Sequence, residues 1–165
     1  MADNPYRPPG SDVGGAERAE RPGSAVKAIL AGLVVDIAGT VVAGTIIAIG
    51  WSVVLGAGGA SAEEIDRFFR QSTAFQWVGL CIGLAFTGLG AYVAARIANR
   101  AEYRFALMLG LCSLAFGELV LSGLAGTDYP EWTRLLGNVL MLPVAFAGGH
   151  LRVLEKARRP GTPTG

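Results

Sequence analysis

Charge is what this sequence has little of. Acidic and basic side chains make up 16% of its 165 residues, against about 25% in an ordinary soluble domain. The net charge is +1, so there is no basic excess to neutralise a phosphate backbone, and no nucleic-acid partner is expected. Cysteine is scarce as well. Cys81 and Cys112 both lie inside apolar stretches, outside any CxxC or Cys/His cluster. That placement suits small packing residues and gives no ground for a disulfide or a metal site. No HExxH, GxSxG, GxGxxG or Walker sequence occurs, which removes the common zinc, hydrolase and nucleotide signatures. The expectation is a protein that is not an enzyme and holds no cofactor or metal.

Apolar residues are abundant: 52% of the chain, with a mean hydropathy of +0.44. They gather in four runs, about 26–56, 75–98, 105–126 and 135–151. Each is close to the ~20 residues that carry a helix across ~30 Å of hydrocarbon. The first is about twice as long as the ~7–15-residue core of a signal peptide, so it reads as a retained span and Ala60-Ser61-Ala62 as no cleavage site. Pro143 in the fourth run is tolerable, because neighbouring helices can satisfy a freed carbonyl. The fold expected is all-α: an integral membrane four-helix bundle, antiparallel and up-down. Residues 1–24, rich in Pro, Gly and charge, read as a disordered cytoplasmic tail. Residues 25–153 form the transmembrane domain, and residues 154–165 a basic cytoplasmic tail.

Orientation follows from Lys and Arg. Eleven lie on one side: Arg7, Arg18, Arg21 and Lys27, then Arg96, Arg100 and Arg104, then Arg152, Lys156, Arg158 and Arg159. Arg67, Arg70 and Arg134 lie on the other. Positive charge stays inside, so both termini are expected in the cytoplasm. Trp51, Trp77 and Trp132 fall together at the opposite interface, where an indole N–H stays wet. The outer 1–2 loop contains Ser61-Ala62-Glu63-Glu64, a capping-box sequence, followed by Ile65, Phe68 and Phe69 at helical spacing. This reads either as a short amphipathic helix on the membrane surface or as a one-turn extension of the second span. Thr127-Asp128-Tyr129-Pro130 reads as a tight connection into the fourth helix.

Small residues mark helix interfaces in lipid. An i+4 row on the first span includes Gly32, Asp36, Thr40 and Gly44, and one on the second runs Gly79, Gly83, Thr87, Ala91, Ala95. These rows predict close contact between the two helices, with Gly32, Gly44, Gly79 and Gly83 as packing residues. Asp36 and Glu118 are the two carboxylates inside the spans, and a charge at mid-bilayer costs roughly 2.5–3.5 kcal/mol on insertion scales. At ~1.5 Å per residue, Asp36 lies about 13 Å inside the cytoplasmic boundary, and Glu118 and Asn138 share a depth near 20 Å. A short side chain that deep cannot reach water, so Asp36 must face other helices, with Thr87 and Tyr92 bracketing its level. Tyr92, Arg96 and His150 lie between it and the cytoplasmic surface. The candidate intramembrane polar site is therefore Asp36, Thr40, Thr87, Tyr92, Arg96, Glu118, Asn138 and His150. It is either a proton- or cation-responsive pathway or hydrogen-bonded glue between helices.

Two stretches carry a resemblance: Ala28-Ile-Leu-Ala-Gly-Leu-Val-Val-Asp36-Ile-Ala-Gly-Thr40 and Gly90-Ala-Tyr92-Val-Ala-Ala-Arg96-Ile-Ala. They resemble small, uncharacterised four-span bacterial inner-membrane proteins, and Asn4-Pro5-Tyr6-Arg7-Pro8-Pro9 is similar to the start of many such chains. The resemblance implies location and no activity. The function expected is non-catalytic, through helix association with itself or another membrane component. The alternative is a small oligomeric transporter or channel subunit using Asp36 and Glu118. Expected partners are the lipid bilayer and a second copy or another membrane protein. Alkaline-phosphatase fusions after residues 65 and 129 are expected to be active, and fusions after residues 101 and 160 inactive. The inverted pattern would refute the orientation.

Overall fold

The computed structural model describes residues 24–123 and 131–158, and its five elements are all helices. They are α1 (Ala25–Ala57), α2 (Ala62–Gln71), α3 (Thr73–Ala98), α4 (Glu102–Gly123) and α5 (Glu131–Arg158). The expected disordered tail, apart from its last residue, and the Thr127–Pro130 connection lie outside the described residues. Of the expected basic tail, residues 154–158 continue α5 as helix, because nothing after Leu151 breaks it. Pro143 sits within α5 without ending it. Helices α1, α3, α4 and α5 are long and apolar enough to cross a membrane, so the chain is a multi-pass membrane protein.

Local chemistry sets the breaks. The 33 residues of α1 span about 50 Å, and the helix stops where Gly58 and Gly59 follow. Gly59 takes a φ of +87°, which glycine adopts without steric cost. Then α2 opens on the predicted capping box. The Ser61 N–H donates to Glu64 Oε2 at 2.7 Å, and the Glu64 N–H donates to Ser61 Oγ at 3.3 Å. The Ser61 amide first, and its hydroxyl second, hold the exposed Glu64 carboxyl below the usual carboxylate range. Of the two readings of this segment, the separate helix is the one formed. Ser72, extended at ψ 107°, ends α2 and caps α3 by accepting from the Phe75 N–H. Phe68 and Phe69 turn back onto the spans, with ring centroids 5.3 Å from Trp51 and 4.7 Å from Phe75 respectively. Trp77 meets Trp132 at 5.2 Å.

The four long helices pack tightly at one end. Buried positions comprise Ala28, Gly32 and Asp36 on α1 and a stretch from Thr87 to Ala98 on α3. On α4 they run from Phe105 to Ser113, and on α5 from Ala145 to Arg152. No described residue nearer the α2 end of these helices is buried. The contact is backbone to backbone. A Cβ added at Gly90 would lie 2.6 Å from the Gly32 carbonyl oxygen. One at Gly148 would strike the Gly88 carbonyl, and one at Gly149 would come within 2.7 Å of Ala106 Cβ. Thus α3 lies between α1 and α5, its two broadest contacts.

The packing residues read from the sequence need correcting. Gly32 makes the expected close contact, but a Cβ at Gly44, Gly79 or Gly83 would meet nothing within 4 Å. An i+4 row winds around its helix, so its later members leave the interface. The GxxxG pair therefore faces open space, and Gly90, outside the predicted row, makes the contact instead. Gly90→Ala is expected to destabilise the bundle by about 1–3 kcal/mol, since overpacking must shift backbone. Gly83→Ala is expected to change little. Unfolding of both variants in mixed detergent would check this, and equal losses would misplace the interface.

Candidate functional site

The deep polar side chains do not form one site. They divide among separate levels of the bundle. Asp36 is 5% exposed and joins three helices. Thr87 of α3 donates to its Oδ1 at 3.0 Å, and Ser113 of α4 donates to its Oδ2 at 2.5 Å. Asp36 thus faces the interior with Thr87 beside it, as its depth required. Tyr92 is not a partner, and Ser113 was not foreseen. The Thr87 hydroxyl also lies 3.0 Å from the Gly83 carbonyl. With one proton to give, it is shared between two acceptors.

Five residues along α4 from Ser113, about 7.5 Å nearer the α2 end, Glu118 is half-buried. The Arg134 guanidinium grips both its oxygens, and Asn138 Nδ2 donates to Oε1 at 2.6 Å. Asn138 and Glu118 share a level, as expected. Arg134, counted in the sequence as an outer charge, proves to be the carboxylate's partner. Its position four residues before Asn138 places both on one helix face, a signal the sequence did contain.

Toward the other end, the Tyr92 hydroxyl donates to Glu155 Oε2 at 2.6 Å, and Arg152 Nη1 donates to the same oxygen at 2.9 Å. Arg152 is 4% exposed and also reaches Asn99. His150 is exposed. Its Nδ1 lies 2.8 Å from the Tyr103 hydroxyl, and Tyr103 stacks on Phe146. Arg96 is exposed and makes no bond to Asp36. Between Asp36 and that end the lumen is closed by Gly32, Ala91 and Ala94 with Ala106 and Leu109. Among the described residues no three of His, Cys, Asp and Glu gather closely enough for a metal ion.

Above the Asp36 level, toward α2, the bundle opens into a cavity of about 400 Å³ between all four long helices. Thr40, Gly83, Gly117 and Met141 line it, each one turn from Asp36, Thr87, Ser113 and Ala145. The polar triad therefore lies one turn beyond the lining, buried behind the cavity's inner end. Phe69 of α2 and Phe75 stand at its far end, and Arg134 and Asn138 form part of the α5 wall. The Thr40 hydroxyl oxygen is covered and has no hydrogen-bond partner.

Asn at position 36 could donate from its amide to Thr87 and accept from Ser113, leaving Thr87 free to donate to Gly83. Asp36→Asn is therefore expected to keep the bundle's stability within about 0.5 kcal/mol of the parent. Asp36→Leu, which orphans the Ser113 hydroxyl and leaves Thr87 only the Gly83 carbonyl, is expected to cost about 1–2 kcal/mol. Unfolding in detergent would read both, and equal losses would deny Asp36 its bridging role.

Compared with known proteins, the chain matches no family model, and no curated protein or solved structure is significantly similar to it.

Proposed function

We propose that this chain is a non-catalytic protein of the bacterial inner membrane that acts by association within the bilayer, with itself or with another membrane component. Both termini lie in the cytoplasm, and the spans alternate in direction as an antiparallel up-down bundle. The order of contacts supports the alternation: Gly32 meets Gly90 while Asp36, farther along α1, meets Thr87, farther back on α3. The same inversion relates α4 to α5, where Gly110 meets Ala145 and Glu118 meets Asn138. The charge asymmetry and the Trp77–Trp132 contact at the α2 end support the orientation.

One observation carries the association reading. The Asp36, Glu118 and Tyr92 clusters each use their hydrogen bonds to join helices, at separate levels. Such bonds hold helices together in lipid, and among the described residues the three clusters stay separate along the lumen. Meanwhile the outer faces present apolar side chains, with Val42 58%, Ile46 63% and Leu119 69% exposed. A transporter subunit is the second reading, favoured by the cavity that ends one turn from Asp36. In that reading the structure is the state open toward α2, and the closed Ala/Gly half must part.

The test pairs a mass measurement of the purified protein in detergent with proton- and cation-flux assays in liposomes. Association predicts a particle heavier than one chain plus its micelle, and no protein-dependent flux. Flux that appears with the protein and is abolished by Asp36→Asn would replace this reading with the transporter.

A further inference from the structure

We infer that the cavity at the α2 end is a lipid site, holding one acyl chain of a membrane phospholipid drawn in from the leaflet around it. The inference rests on the membrane reading proposed above and names its partner chemistry. Its first ground is volume. The lumen measures about 400 Å³, and left empty it would forfeit the dispersion contacts of every atom around it.

The second ground is the chemistry of the wall. Leu80, Leu84, Leu114 and Met141 line it, with glycines between them. Several of the polar groups nearby already hold partners. The Arg134 guanidinium and the Asn138 amide are held on Glu118, and the Gln76 amide donates to the Arg70 carbonyl. The Thr40 hydroxyl oxygen is shielded from the lumen. One turn beyond the lining, the Thr87 and Ser113 hydroxyls bond Asp36. A charged or strongly polar occupant would lose its hydration and recover few hydrogen bonds from a wall that is mostly apolar. An uncharged alkyl chain loses nothing there.

The third ground is shape. A single helical turn, ~10–12 Å across and ~5.4 Å long, takes up about 400–600 Å³. A helix needs that full width along its whole length, whereas a chain one methylene wide can thread a narrow lumen. Gly44 of α1 and Gly137 of α5 both line the cavity. At Gly44 an added Cβ would touch nothing, and at Gly137 it would meet only Leu80 Cδ1, at 3.6 Å.

The experiment places the full chain in nanodiscs whose phospholipid carries a photoreactive diazirine midway along one acyl chain, and maps adducts by mass spectrometry. Adducts are expected on Leu80, Leu84, Leu114 or Met141 as well as on the outward-facing Val42, Ile46 and Leu119. Gly79→Leu and Gly83→Leu, tested separately, fill the lumen where a side chain meets no neighbour. Each is expected to cut the lumen adducts at least tenfold and leave the outward adducts unchanged. Gly137→Leu replaces any variant whose outward pattern shifts. Outward adducts without lumen adducts would overturn the inference, as would lumen adducts that survive the substitutions. Loss of the outward adducts in the unaltered protein would instead overturn the membrane reading beneath it.

Discussion

The backbone contact between α1 and α3 at Gly32 and Gly90 is the constraint on which the rest of the bundle depends. Lipid tails are as apolar as leucine, so burial alone gives helices in a bilayer little reason to associate. What remains is close van der Waals contact and hydrogen bonding between helices. With no Cβ at either glycine, α1 comes close enough that any added side-chain atom would collide with backbone. That approach brings Asp36, one turn along, onto Thr87, and it leaves Ser113 of α4 within reach of the second carboxylate oxygen. The glycine contact and the carboxylate triad are thus consecutive layers of one joint. Its second face is the Gly88–Gly148 contact, through which α3 holds α5 in the same register.

Beyond this joint the helices change partners and purpose. On one side, alanine and glycine close the lumen down to the buried Arg152 and its partner Glu155, to which Tyr92 also donates. On the other side the same kinds of small residue border a cavity. Glycine has opposite consequences at the two ends because its effect depends on the distance between axes. Where helices touch, it allows contact; where they diverge, it leaves volume. Glu118 and Arg134 hold α4 to α5 across the divergent half. The charge pair there acts as a tie at the edge of an open lumen.

Part of the polar arrangement was legible in the sequence because depth along a helix is simple arithmetic. Asp36 had to face inward, Thr87 lay at its level, and Asn138 matched Glu118. Other partners were hidden for particular reasons. Ser113 is a common residue on a helix whose rotation about its own axis the sequence leaves open. Arg134 was assigned to the aqueous side by its charge, although four residues separate it from Asn138 on one face. Glu155 fell beyond the expected end of the fourth span, so Tyr92 was placed near Asp36 instead of with its actual acceptor. The Gly79–Gly83 pair looked like an interface because spacing reports which residues share a face, and says nothing of what lies opposite.

The sequence by itself determined the number of long apolar helices, their approximate limits, the capping box between the first two spans, and the inward direction of Asp36. These follow from hydropathy, local hydrogen bonding and the cost of a carboxylate in hydrocarbon, all of which act within one segment. The tertiary structure alone decided which small residues became contacts and which became cavity wall, that three helices meet on Asp36, and that the polar residues form separate ties. Those outcomes depend on rotation and tilt of whole helices relative to one another. Both are set by the sum of many weak contacts between segments distant in sequence, and no single segment contains them.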